Sequence, residues 1–269
     1  MSGILEVTIL GCGSSGGVPR ADGNWGVCDP SNPLNRRTRC SLLVRRKGAD
    51  AANETTVLID TSPDLVRQTS GAGAKRLDAV LLTHDHADQL HGLDDIRAFA
   101  LRHRRRVPVF MDRRTAGIVH RRFGYIFENA EYYPAIAEDM GMPEPGEGWS
   151  VHGPSGDIPV IGFEQEHGDI ISLGFRFGPV SYSSDVAGLP DASFEILRGT
   201  DVWIVDALRE TPHPTHAHLE RTLEWIWRVR PRRAILTNLH IDMDYETLRA
   251  KLPDGVEPAY DGLRFEISL

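Results

Sequence analysis

Ligand-type side chains crowd into one short stretch, His84-Asp85-His86-Ala87-Asp88-Gln89, directly after the apolar run Ala79-Val80-Leu81-Leu82. Residues i and i+2 leaving an extended strand point the same way, so His84 and His86 can converge on one metal ion. Asp88 falls at the start of a helical pattern, where a carboxylate is favoured electrostatically and can face a second ion. A lone His-x-His is more often a pair of solvated loop histidines, but this many candidate ligands at a strand-to-helix junction argue against that reading. Three further groups follow later apolar runs: His167 after residues 158–164, Asp185 after 180–183 and His240 after 234–237. Each alone is an ordinary loop residue. Ligands recurring at strand ends suit an open α/β site.

The elements that must position these groups alternate along the whole chain. Apolar and β-branched runs predict strands at 6–10, 41–44, 56–59, 79–82, 108–110, 158–164, 171–177, 180–183, 202–205, 234–237 and 263–267. Helical spacing predicts helices at 63–70, 90–101, 113–123, 193–197, 217–229 and 245–251. Early and middle strands come as hairpin-like pairs and the helices are interleaved. That pattern predicts an α/β layered fold, two mixed sheets sandwiched between helices in an αββα order, forming one domain over 1–269. The Pro/Gly-rich stretch 140–156 reads as a long surface loop of the kind that often serves as a lid.

Composition narrows the function. The 269 residues carry a formal charge of −8, which disfavours long nucleic acid as a partner, although bound metal can invert the potential inside a site. Three scattered cysteines, Cys12, Cys28 and Cys40, form no disulfide framework and suit a reducing compartment. The first residues lack the basic region of a signal peptide, and no run is long enough to span a membrane. A cytoplasmic protein is the expectation. A small phosphorylated substrate or nucleotide is not excluded as a partner, nor is a second copy of the chain as a homodimer.

The motif Thr83-His84-Asp85-His86-Ala87-Asp88, with His167, Asp185 and His240 each after a strand, resembles the metallo-β-lactamase superfamily. The resemblance implies two divalent metal ions, zinc or manganese. It gives His84, His86 and His167 to the first, Asp185 as a bridge, and Asp88 and His240 to the second. The segments Leu10-Gly11-Cys12-Gly13-Ser14-Ser15-Gly16-Gly17, Gly92-Leu93-Asp94-Asp95 and Asp242-Met243-Asp244-Tyr245 resemble the PhnP-like branch of phosphodiesterases, which act on small cyclic phosphates. The branch implies that His218 contacts the phosphate and protonates the leaving oxygen, while Asp88 orients the nucleophile. Ser14, Ser15 and Ser184 are the expected substrate contacts. The Gly11–Gly17 loop admits two readings, backbone N–H groups offered to substrate or a tight turn.

This chain departs from the family pattern in two places. Gln89 stands where the family has a histidine, and a carboxamide is a poor zinc ligand, so the second site becomes richer in oxygen and weaker. His91, three residues after Asp88, is the nearest substitute and is more often a packing residue. The branch also carries a structural zinc near its last motif. Cys28, Cys40 and Met243 do not reproduce its ligands, and its absence is expected. The basic run Arg102–Arg106 could bind phosphate or RNA but reads as solvated cations at a helix C-terminus. Of Arg36, Arg37 and Arg39 one could reach a substrate phosphate, while the group reads mainly as surface ion pairs. Asp94, Asp95 and Arg97 read as braces for the metal loop, and Trp225 and Trp227 as helix packing. The alternatives to a phosphodiesterase are a thioester, lactone or β-lactam hydrolase of the same fold, or a non-catalytic nucleotide- or metal-binding module.

Overall fold

Two seven-stranded sheets face each other. Because successive side chains of a strand point to opposite faces, central strands such as Thr55–Ile59 and Ala79–Leu81 that are covered on both sides are buried at every position. The computed structural model describes residues 3–48 and 53–269. The first sheet runs, in spatial order, β14 (Arg264–Ser268), β1 (Ile4–Gly11), β2 (Ser41–Arg46), β3 (Thr55–Ile59), β4 (Ala79–Leu81), β5 (Val107–Phe110) and β6 (Ala137–Asp139). The second runs β13 (Val256–Pro258), β12 (Arg233–Thr237), β11 (Val202–Asp206), β10 (Val180–Ser183), β9 (Ile170–Phe177), β8 (Ile158–His167) and β7 (Gly148–Val151).

One residue set of each sheet faces the other sheet: Val7, Ile9, Leu42, Val44, Val57 and Ile59 meet Val160, Phe175, Phe177, Tyr182 and Ile204 in one core. The alternate set faces helices. Leu43, Leu58, Val80 and Leu82 pack under α1 (Leu65–Gly71), α3 (Arg97–His103) and α4 (Arg113–Phe123). Trp203, Val205 and Leu236 pack under α5 (Asp191–Leu197), α6 (Leu219–Val229) and α7 (Tyr245–Arg249). The result is the expected αββα order.

The antiparallel pairs β1–β2, β2–β3, β8–β9 and β9–β10 leave β1 parallel to β3 and β8 parallel to β10, and β3–β4–β5 and β10–β11–β12 are parallel throughout. Strands β1, β3, β4, β8, β10, β11 and β12 therefore end towards the same rim, where an open α/β sheet places its ligands. Asp60, Asp185 and Asn238, just past β3, β10 and β12, all have left-handed backbones, with φ of 60°, 52° and 61°. Asp and Asn tolerate that region best among side chains with a Cβ, and it turns the chain sharply off each strand.

Three predicted features differ. The helix expected over 90–101 is divided into the single turn α2 (Ala87–Leu90), a 3-10 turn at Leu93–Ile96 and α3. Gly92 is the break: its N–H donates to Thr61 O, and a Cβ there would lie 2.1 Å from Ser62 O. The stretch 140–156 is not one loop, because β7 pairs antiparallel with β8 and makes the edge of the second sheet. Trp225 packs as expected against Phe194, but Trp227 is 74% exposed, with the Arg230 guanidinium over its ring.

Asp261, in the turn before β14, ties the chain just past β1 to the segment leading into β2. Its carboxylate accepts from Cys12 N (3.1 Å), Thr38 N (2.7 Å) and Thr38 Oγ1 (2.6 Å). Burial lifts its pKa to about 6, against the pull of those donors. The folded state thus holds this proton more tightly than the unfolded chain, whose value is about 3.9. The resulting stability is present below about pH 4 and is lost as pH rises through about 6. Removing it with Asp261→Asn should flatten the urea-unfolding free energy against pH over that window by on the order of 1 kcal/mol, after allowance for partial exposure. An unchanged difference between the two proteins from pH 4 to 7 would contradict the assignment.

Candidate metal centre and catalytic site

His84 leaves β4 fully buried, and its environment fixes which nitrogen is bare. Thr83 Oγ1 lies 3.0 Å and 3.1 Å from the Asp60 carboxylate oxygens, to which its one proton goes, so it accepts from His84 Nδ1 at 2.9 Å. His84 Nε2 is then a lone pair, buried and without a hydrogen-bond partner. Burial first, then the neighbouring His167 and His86, hold its pKa well below the usual imidazole range and keep it neutral. Asp60 itself is pushed up by burial, although the Thr83 bonds pull the other way.

His167, the last residue of β8, is oriented in the same manner. Its Nδ1 donates to Thr215 O at 2.6 Å, leaving Nε2 bare and 3.3 Å from His86 Nδ1. The three rings meet edge to face, with centroids 4.5 Å (His84–His86), 5.0 Å (His84–His167) and 5.1 Å (His86–His167) apart. Three imidazole nitrogens converging on one point, one of them buried and unpartnered, are costly unless a cation sits among them. The donor set suits zinc or a similar transition metal, with outer hydrogen bonds fixing two of the rings. The residues therefore fit a divalent ion here.

A second group lies alongside: His167, Asp185 and His216 offer ligand atoms within 4.8 Å of one another. His216 Nδ1 is 2.9 Å from Asp206 Oδ2 and 4.0 Å from Asp185 Oδ1, and Asn238 Nδ2 is 3.1 Å from the same ring nitrogen. Burial alone would lower the pKa of His216. The carboxylates of Asp206, Asp185 and Asp88 outweigh it and lift the group to about 9. The site thus presents a protonated imidazole, steadied on one side by a buried aspartate, next to a histidine cluster.

The fold brings His84, His86, His167 and Asp185 together, with Asp88 tied to Asp185 through the Gln89 amide, which donates to both. Burial and Asp185 raise the Asp88 pKa. Other expected residues lie elsewhere. His218 is the N-cap of α6 and makes no ring hydrogen bond among the described residues, so His216 takes the place in the cluster expected of His218. Ser184 is fully buried and Ser14 is 6% exposed, which removes both as substrate contacts, whereas Ser15 is exposed at the mouth. His240 ring atoms bond Asp242 and Arg20 instead of joining either ligand group. His91 packs on Phe123, away from the rings.

The supporting contacts also redistribute. In the Gly11–Gly17 loop, Gly13, Ser14 and Gly17 already give their N–H groups to Thr38 O, Leu239 O and Ser14 O. Close packing explains that loop better than substrate binding: a Cβ on Gly11 would lie 2.1 Å from Arg39 O. The metal loop is braced by α4, where Arg114 Nη1 donates to Asp85 Oδ1 (2.5 Å) and Arg122 Nη1 to Asp85 O (2.9 Å). Asp94 instead pairs with Arg97 and Tyr125. Beside Cys28 lies the buried Arg37, whose Nη groups bond Asn35 Oδ1 (3.2 Å) and His240 O (3.4 Å), and Asn35 in turn donates to Asp244. The sequence did carry a signal for Asp206, an acid closing an apolar strand, and for His216, two residues before His218.

Comparison with known proteins agrees with this architecture. The family described as "Beta-lactamase superfamily domain" matches residues 55–241. A solved structure of a diphosphatase from the PhnP family superposes with a TM-score of 0.87 at 33% identity, covering 100% of this chain and 99% of that one. Zinc-bound PqqB from Methylobacterium extorquens shares the fold, with a TM-score of 0.71, 16% identity, and 97% and 99% coverage. An octanoyltransferase from Porphyromonas gingivalis (strain ATCC BAA-308 / W83) is 30% identical over 262 residues, 96% of this chain. The chain spans about half, 51%, of that relative's length.

Proposed function

This chain belongs to the β-lactamase superfamily, and we propose that it is a metal-dependent hydrolase that cleaves a phosphodiester, a small cyclic phosphate or a nucleotide-like diester. The observation that carries this reading is the His216–Asp206 pair set against the Asp185–His167 cluster, a proton donor fixed where a leaving oxygen would depart. His84, His86, His167 and Asp185 would hold a divalent ion, which would supply Lewis acidity towards a phosphoryl oxygen and lower the pKa of a bound water. Asp88, half-buried at the cleft, takes the proton from the attacking water as its oxygen bonds to phosphorus. The bond to the leaving oxygen breaks, and His216 gives that oxygen its proton from Nε2 while Asp206 steadies the imidazolium through Nδ1. Guanidinium groups of Arg20 and Arg39 line the same cleft as Asp88 and Asp22 and offer N–H donors that match phosphoryl oxygens. The likeness to a PhnP-family diphosphatase supports phosphate chemistry. The acyl-transfer name belongs to a relative twice as long, and acyl substrates enter the test as competitors.

Purified protein should hydrolyse bis(p-nitrophenyl) phosphate or a 2′,3′-cyclic nucleotide when a divalent metal is added, and a β-lactam or an acyl thioester negligibly. Efficient lactam or thioester turnover, with no diester cleaved under zinc or manganese, would replace this reading with carbonyl hydrolysis. Metal binding without any turnover would make the chain a binding module.

A further inference from the structure

The family pattern provides for a second cation, and the residues of this chain do not fit one. Asp88 and Asp185, its expected carboxylates, are already joined by Gln89: Nε2 donates to Asp185 Oδ2 at 3.0 Å and to Asp88 Oδ2 at 3.3 Å. Turning the amide over would set its oxygen against both carboxylates, so the nitrogen-inward arrangement is the favourable one. Gln89 is fully buried, and its oxygen has no partner on the other side. The remaining expected ligand, His240, is also engaged. Its Nδ1 bonds Asp242 Oδ2 at 2.8 Å, which leaves Nε2 as the acceptor, and Arg20 Nη2 donates to it. Two independent contacts therefore withdraw the ligands of the second position.

We propose that the centre works with one divalent ion, and that the Arg20 guanidinium takes the role of the second positive charge by gripping the substrate's phosphoryl oxygens. Arg20 is exposed, and with Ser15, Arg39 and Asp88 it lines an open cleft of about 670 Å³. Arg39 is anchored through Nε to Asp64 at 3.0 Å, and its two outer nitrogens make no hydrogen bond among the described residues. Asp22 also lines the cleft and accepts from Asn24 N, so the formal charges of Asp22 and Asp88 balance the two guanidiniums, and phosphate affinity rests on their directed N–H donors rather than on net charge. A guanidinium is charged at every working pH, is not removed by a chelator, and matches phosphate with two parallel N–H donors. The ligand class is a phosphate or diphosphate whose non-bridging oxygens face Arg20.

This inference deepens the hydrolase reading, and its test is read without turnover. Protein saturated with zinc and desalted should hold one zinc per chain by elemental analysis. The double variant Arg20→Ala/Gln89→His should hold two. Pyrophosphate binding to the zinc-loaded protein, followed by calorimetry, should weaken at least about tenfold in Arg20→Ala, the scale of a lost charged hydrogen bond. Arg20→Lys should recover only part of it. Two tightly held zincs in the unaltered protein overturn the proposal, and so does pyrophosphate affinity indifferent to Arg20→Ala. If two zincs are found and diesters are still cleaved, the hydrolase reading stands and this inference alone fails. If one zinc and Arg20-dependent binding are found without diester cleavage, the reverse holds.

Discussion

His216→Ala should lower kcat for a diester with an alkyl leaving group by about 10²- to 10⁴-fold, the range for loss of a positioned general acid. The ring stands against Asp206 and within reach of Asp185, and it carries a proton to about pH 9. An alkoxide leaving group needs that proton. A p-nitrophenolate does not, so the loss should shrink for bis(p-nitrophenyl) phosphate. His218→Ala, at the α6 N-cap, should change kcat by less than about threefold, because an N-cap side chain without a cap bond has little to lose. The pH profile gives a second readout. Asp206 raises the His216 pKa, so Asp206→Asn must lower it, and the alkaline limb of kcat should move to lower pH as the donor loses its proton sooner. Equal losses for good and poor leaving groups, or an alkaline limb unmoved in Asp206→Asn, would reduce His216 to a phosphate contact.

The other large effect is on stability. An ion that binds only the folded chain stabilises it by about 4 kcal/mol at a thousandfold excess over Kd. For a chain of this size that corresponds to a rise in Tm of roughly 8–16 °C. Zinc should give such a rise by differential scanning fluorimetry, and a chelator should reverse it and abolish hydrolysis. His84→Ala should erase the zinc-dependent shift. It should also lower the stability of the zinc-free protein, because the buried ring donates to Thr83 Oγ1, so the diagnostic quantity is the zinc-dependent difference in Tm. A mutation that merely damaged the core would lower Tm with and without zinc alike. If His84→Ala keeps the full zinc-dependent shift, the ion is held elsewhere.

Strand positions were legible because they rest on local patterns. Runs such as Leu42-Leu43-Val44 and Val57-Leu58-Ile59 are apolar at every position, as strands buried on both faces require. The missed strands β6, β7 and β13 are short edge or near-edge segments of three or four residues with polar or proline content, which carry no such pattern. The fold class followed from the order of the elements.

For the site, the sequence by itself determined what strand geometry dictates. His84 and His86 share a side because they are two apart, and His167 and Asp185 reach the rim because they close β8 and follow β10. The same rule left His216 and His218 equivalent, since they too are two apart. Tertiary structure chose between them: Ala217 N bonds Val186 O at 2.6 Å, and α6 begins at Leu219, so His218 becomes the helix cap and His216 turns to Asp206. Likewise a strand-end histidine at 240 looked like a ligand until Arg20, 220 residues away in sequence, was brought against its Nε2. Gln89 was visible as a departure, but only the approach of Asp185 from the other sheet shows which way its amide faces. Periodicity records which side of an element a residue occupies. Which partner meets it there depends on contacts between distant segments, and those exist only once the two sheets have packed.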